Sequence, residues 1–489
     1  MTRGLIPLLA LLLLAAAPVE PPSLERQVQQ AATLLDQDKN DEALAILDPL
    51  LSQADTPGDR GKIETLRSFA LARLGRVTEA HKAIEIGVAS NPAPTSIVLR
   101  QLVLLRAFDG DPKGAAETLE LMAASDPKGL TTVPSEIITD IMRAIAEDKT
   151  RAFNLDYSLI SSGWAPTDIT VGDVDWLRLR LITALADKGR LDDAKPIIDQ
   201  VLSPVVLVRL GIDRRFEPLW PMLEARLGPS ADTADAKYIA AAKARFDKEP
   251  KSLIARLGYA EALNIASREP EAIALADVAK TPEELAALSN REIWLVNLHA
   301  ALLADAGRNA EAMARMAALN GTPINGRTNM AGTIVNEALL AESMGEAQTA
   351  LTLADAAQAK AGNLNPYGEM ALAAVRTCAL AKLGRKDEAT AAAAPILAKP
   401  DASEDAYLRA NLCLGRQDAA AAAFIKRLED PDKRMEMLFD LQPFLIADRA
   451  KEREKQIRAD YRALKARPDV KAAFTKVGRD LPAAVAPPR

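Results

Sequence analysis

A short pattern recurs along the chain and limits what it can fold into. It is clearest at Gly75-Arg76-Val77-Thr78-Glu79-Ala80 and returns at Gly189 to Ala194, Gly307 to Ala312 and Gly384 to Ala389, with a weaker copy at Gly415 to Ala420. Asp109 to Ala115, Met344 to Ala350 and Asp38 to Ala43 fit the same frame, and Ser267 to Ala272 fits it less closely. Each residue type has a physical role. Gly can enter the left-handed conformation that ends a helix. The following Arg is expected to face solvent at the C-terminus of that helix, where a cation is favoured, and the acid after it to open a second helix. The small Ala lets two helices approach, and a Pro further on, as at Pro92, stops the second helix. The pattern predicts helical hairpins with turns at 38, 75, 110, 189, 267, 307, 345, 384 and 415, about 38 residues apart. It skips twice, and irregular hairpins with turns near 148 and 228 fill the gaps. One hairpin cannot bury its apolar face, whereas stacked neighbours can. The expected fold is all-α, an α-solenoid of about eleven stacked antiparallel hairpins.

Composition agrees. Apolar residues make up 49% of the 489 positions but aromatics only 4%, so the core must be aliphatic. Period-two runs of β-branched residues are scarce. A net charge of -6 gives nothing with which to track a phosphate backbone, so nucleic acid is not an expected partner. The two cysteines, Cys378 and Cys413, are too few for a disulfide framework or a zinc site. They lie in the first helices of neighbouring hairpins and read as two small buried core residues. A bridge between them is the other reading, in an oxidising compartment.

At the N-terminus a short basic stretch precedes an apolar run from Leu5 to Ala17, and Pro18-Val19-Glu20-Pro21-Pro22 follows. This is the form of a secretory signal, and the run is shorter than the roughly 20 residues that span a bilayer. Cleavage near Ala15 to Val19 is expected, leaving a chain without stable membrane insertion. The resulting segmentation is residues 1–20 as signal, 21–130 as N-terminal repeats, 131–250 as irregular central hairpins, 251–430 as C-terminal repeats, and 431–489 as capping helices with a disordered Pro-rich tail. Gly163 to Pro166 and Val171 to Asp173 read as one long loop. The charged run Lys451 to Arg458 reads as a solvated capping helix.

The frame Gly-x4-Ala-x3-apolar-x7-Pro, complete at Gly75/Ala80/Ile84/Pro92 and Gly110/Ala115/Leu119/Pro127, resembles the tetratricopeptide repeat family. The period here is longer than that family's, and its bulky aromatics are replaced by residues such as Leu71 and Leu303. The resemblance implies a concave face lined by the first helix of each hairpin. Counted from the turns, that face holds Lys62, Phe69, Arg73, Arg100, Trp176, Trp294, Asn297 and Arg409. Trp and Arg are typical anchors for a partner protein or peptide. For Trp176 and Trp294 the competing reading is that they fill gaps between hairpins.

Chemistry finds little material. His81 and His299 are the two histidines and fall in different hairpins, so neither a His-based triad nor a His metal site is expected. Asp173-Val174-Asp175 reads as a helix start rather than a cation loop. No cofactor or metal and no catalytic residue are expected. The anticipated role is a non-catalytic interaction or scaffold protein of a Gram-negative envelope, periplasmic after export. Alternatives are an assembly subunit of a secretion or polysaccharide-export machine and, less favoured, a solenoid-scaffolded enzyme cleaving cell-wall glycan.

Overall fold

The computed structural model describes residues 23–362, 364–443 and 452–487. The expected signal at 1–20 lies outside the described residues. The chain divides into two compact units, Met1–Ser158 and Leu159–Arg489, and the division falls inside helix Lys149–Ser161. The described residues are predominantly helical and contain no β-strand.

All nine regular turns stand where the spacing puts them. The residues at 38, 75, 110, 189, 267, 307, 345, 384 and 415 each have a positive φ, between 59° and 84°. At every one the amide of the next residue donates to the carbonyl five positions before it, at 2.8–3.0 Å, closing the preceding helix. Nine alanines five positions past these turns, from Ala43 to Ala420, are fully buried. The residues nine positions past the turns, among them Leu47, Ile84, Ile198, Met316 and Phe424, are buried too. The pattern is therefore the set of helix–helix contact points of each hairpin.

The geometry assigns the Arg a second task. Arg76, Arg190, Arg268, Arg308 and Arg385 are N-cap residues of the second helices, and each pairs with the acid three positions on at 2.5–2.6 Å. These pairs are exposed, so each adds little stability. The backbone matters more. Gly307→Ala, at φ 75°, is expected to lose about 1–2 kcal/mol. Ser267→Gly, at φ 59°, should gain up to about 1 kcal/mol. Arg308→Ala should stay within about 0.5 kcal/mol. Urea unfolding of the three variants checks the order.

In the N-terminal unit the hairpins are Leu24–Asp36 with Asn40–Leu50, Pro57–Arg73 with Val77–Ala89, and Ser96–Phe108 with Pro112–Ser125. Their entries are capped locally. Thr56 accepts from the Asp59 amide at 3.0 Å, and Asp111 from the Gly114 amide at 2.9 Å, each with Pro at the first helical position. Ala31, Leu47, Ile63, Leu71, Ile84 and Leu102 form one core. The first skipped turn is present near 148, between helices Ser135–Ala144 and Lys149–Ser161.

In the C-terminal unit, Val171 to Asp173 are not loop. They open helix Val171–Asp187 through a capping box, in which Thr170 and Asp173 satisfy each other's backbone amides. The second skipped turn differs from expectation. Gly228 has a positive φ, but it separates Trp220–Leu227 from Asp232–Lys248. Pro204–Ile212 and Trp220–Leu227 are joined earlier, by a 3-10 segment at Arg214–Leu219 that contains Pro218. From Leu253 the repeats are regular. The first helices of successive hairpins, Leu253–Ile265, Ile293–Asp305, Met330–Ser343, Pro366–Lys382 and Glu404–Cys413, each touch the next.

Three expectations are corrected here. Cys378 and Cys413 are bonded to each other, with Cα atoms 5.1 Å apart, and so staple two neighbouring first helices. Register placed these helices side by side, and the bond shows that the two side chains also face each other. The charged run near 451 is not a freely solvated cap. Helix Glu452–Lys465 lies against Met330–Ser343 and Gln417–Glu429, with Leu464 buried and the Tyr461 ring edge-on to Phe424 at 4.9 Å. The Pro-rich tail, over its described residues 480–487, is ordered. Leu481 is buried, its amide donates to Gln442 at 2.9 Å, and the Ala484 carbonyl accepts from the Ser230 amide at 2.9 Å.

The tail is ordered because it packs back on residues 211–230 of its own unit. An isolated antiparallel β-bridge joins Asp213 to Gly478. Gly478 has no room for a side chain, since a Cβ there would lie 2.9 Å from the Ile212 carbonyl oxygen. Arg479 donates to the Gly211 carbonyl at 2.8 Å and to Glu224 at 2.6 Å, and its guanidinium covers Trp220 at 3.7 Å. Arg434 reaches the fully buried Asp213 at 3.2 Å.

Candidate functional site

The nine turns fix a line of positions on the first helices, at 13, 10 or 9, 6 and 2 residues before each turn. These share one helix face, since offsets of three and four recur on one side. All eight sequence-chosen residues lie on this inner line. Their surroundings differ between the two units.

In the N-terminal unit, Lys62 and Arg100 are exposed and make no ion pair among the described residues. Arg73 is exposed as well, but its guanidinium donates to the Leu35 carbonyl and faces Asp38 at 3.9 Å, tying two hairpins together. Phe69 is half-buried and packs on the core. It is therefore mainly structural. Two residues on the same line were overlooked. Ile97, 67% exposed, and Phe108, 65% exposed, stand at the first and last line positions of helix Ser96–Phe108. The register that selected Arg100 contains them both.

In the C-terminal unit the line is largely covered. Trp294 is half-buried between hairpins, and a Cβ on Gly332 would lie 3.3 Å from its ring. This is the gap-filling reading. Trp176 is 43% exposed, yet the Arg209 guanidinium stacks on it at 4.8 Å and on Phe439 at the same distance. Asn297 and Arg409 share one cleft. They line this cleft of about 430 Å³ with Asn336, Leu339 and Ser343 from the inner line and with Ile457 and Arg458 from the C-terminal helix. Asn336 donates to Asn297 at 3.0 Å, and Arg409 pairs with the buried Glu342. The chain's own C-terminal helix thus forms one wall of that cleft. Sequence reasoning missed Ile457 and Arg458 because their helix lies outside the repeat.

Glu261 is on the same line, six positions before the turn at 267. Burial and the nearby Asp173 push its carboxyl up to about 7, against the pull of Thr170 and Arg291. A raised acid favours folding below its unfolded value of roughly 4.3, and that contribution is lost as pH rises through 7. Between pH 5 and 8 the C-terminal unit should lose at most about 3 kcal/mol relative to Glu261→Gln. Denaturation of both proteins across that range measures it. His299 runs the opposite way. Burial and Arg315 push it down to about 4, so its contribution is present above roughly 6.5 and lost as pH falls through 4.

Among the described residues no group of three or more His, Cys, Asp or Glu is placed to hold a metal ion. No described helix is long and apolar enough to cross a membrane. Each unit is an all-α array of stacked helical hairpins, and the turn, buried Ala and apolar frame of those hairpins resembles the tetratricopeptide repeat. No protein-family profile matches it. No curated protein matches it in sequence. Solved structures that the chain matches include Naa15/Naa10 bound to HypK-THB, at 16% identity over 92% of this chain and 77% of that one, with a TM-score of 0.26. Another is the APC/C hetero-tetramer Cut9-Hcn1, at 11% identity over 93% and 96%, with a TM-score of 0.23.

Proposed function

We propose that the chain is a non-catalytic scaffold of a bacterial cell envelope, exported to the periplasm, that holds a protein or peptide partner along the inner line of its hairpins. One observation carries the reading. In the N-terminal unit this line presents unpaired Lys62 and Arg100 beside exposed Ile97 and Phe108, which is surface that folding leaves unsatisfied. Two features support the compartment. The Leu5 to Ala17 run has the form of an export signal. The Cys378–Cys413 bond is of the kind that persists in oxidising surroundings.

The test has two parts. Fractionation with N-terminal sequencing should find a periplasmic protein beginning between residues 16 and 20, and an intact N-terminus in the cytoplasm would refute export. Purification of the tagged protein from envelope extracts should return a partner in fixed proportion. A partner that is an outer-membrane pore would make the chain an assembly subunit. Turnover of a glycan polymer by the purified chain would refute the non-catalytic reading.

A further inference from the structure

We infer that helices Pro57–Arg73 and Ser96–Phe108 together form a docking surface for an acidic, apolar peptide segment. The inference rests on the reading of the inner line as the partner face. It adds the partner's chemistry and a location in the N-terminal unit.

The apolar part comes from Ile97 and Phe108. Eleven residues apart on one helix face, they stand about 16 Å from each other along the axis. Gln101 and Leu104 lie between them on that face and are half-buried. A peptide strand rising about 3.3 Å per residue covers the distance with five or six residues, and a helical segment covers it in three turns. Ile97 and Phe108, at the two ends of one stripe, are the most exposed large apolar side chains among the described residues.

The charge comes from Lys62 and Arg100; Arg73 shares their line but is tied to the Leu35 carbonyl and to Asp38. On the inner line of these two helices they are the charged residues, and no carboxylate stands among them. Glu25 and Asp36 stand on the preceding first helix, Leu24–Asp36, and several acids on other faces are already engaged. Glu64 pairs with Arg67 at 2.6 Å, Glu85 with Arg106 at 2.9 Å, and Asp109 accepts from Thr78 at 2.7 Å. The whole chain carries a net charge of -6, so this stripe is cationic against an acidic background. A ligand with carboxylates beside Lys62 and Arg100, and apolar side chains on Ile97 and Phe108, matches both features. Two unpaired cations and two apolar residues along one line are a footprint for a short peptide, whereas a membrane surface calls for a larger cluster of cations.

The probe is a fluorescein-labelled twelve-residue peptide of alternating Asp or Glu with Leu or Phe. Anisotropy should show binding that weakens with salt. It should be lost when the acids are replaced by Lys or the apolar residues by Ser. Ile97→Asp, Phe108→Asp and Arg100→Glu should each weaken it about tenfold or more. All three positions are exposed, and circular dichroism confirms that the variants fold. Leu121→Asp is the control for general stickiness. Leu121 is 48% exposed on the second helix Pro112–Ser125, and its change should leave binding intact. No binding, equal binding of the Lys peptide, or equal loss with Leu121→Asp would overturn the inference. So would phosphatidylglycerol vesicles that bind wild type and are released by Phe108→Asp. If an envelope partner co-purifies and Phe108→Asp does not release it, the scaffold reading stands and this surface falls.

Discussion

Asp213→Ala is expected to destabilise the C-terminal unit by about 3–5 kcal/mol, the range for removing one partner of a buried ion pair. Asp213 is fully buried and has no solvent to replace what it loses. It accepts from the Arg215 amide at 2.9 Å and from the Arg215 guanidinium at 2.7 Å, and Arg434 adds a bond at 3.2 Å. Removal takes the ion pair from Arg434 and leaves Arg215 with Asp187 alone, at 3.2 Å, and both arginine side chains are nearly covered. The effect should also be directional. Asp213 is the residue bridged to Gly478, so its loss should loosen residues 468–487 before the repeats. Hydrogen exchange should show amides such as those of Arg479 and Leu481 opening first. Because the chain has two compact units, unfolding should be followed with probes in each, and the Met1–Ser158 transition should not move. Asp213→Asn keeps the shape and one acceptor and should cost less.

Phe424→Ala is expected to cost about 3–5 kcal/mol through the cavity it leaves. Phe424 occupies the position nine residues past the turn at 415 and is fully buried. Alanine fills the equivalent places past the turns at 345 and 384, Ala354 and Ala393, so only this hairpin needs a ring there. The reason is Tyr461, whose edge-on contact at 4.9 Å fixes the C-terminal helix to the last repeat. A double-mutant cycle with Tyr461→Leu should give a coupling of about 1 kcal/mol. A coupling near zero would mean that the helix is held by its other contacts, such as buried Leu464 and the Arg458 bond to the Asp440 carbonyl at 3.0 Å.

The repeat was legible because its signals are local. A turn residue with positive φ, a buried Ala five places on and an apolar residue nine places on are all set within one hairpin. The Ser at 267 was the weakest match, and the structure still puts it at φ 59°, because its neighbours Leu263 and Ala272 keep the frame. The closure of the C-terminal unit was not legible. Its contacts join Arg434 to Asp213 and Arg479 to Gly211, more than 200 residues apart and outside the period. The tail's prolines read as disorder because composition cannot show that Leu481 has a buried place beside Gly211. Likewise the inner line could be counted from the turns, but which parts of it stay open depends on that closure. Arg409 and Asn297 fell on a covered stretch, Lys62 and Arg100 on an open one.

The covering of the inner line by the chain's own C-terminal helix is most directly tested by a paired substitution, Ser343→Cys with Ile457→Cys. The two native cysteines are bonded to each other and leave no free thiol to compete. Both substituted positions line the same cleft. A short bis-maleimide should join them within one molecule, nearly completely, and peptide mapping should find the 343–457 link in the monomer. Failure to cross-link, or links only between molecules, would contradict a helix seated on the inner line.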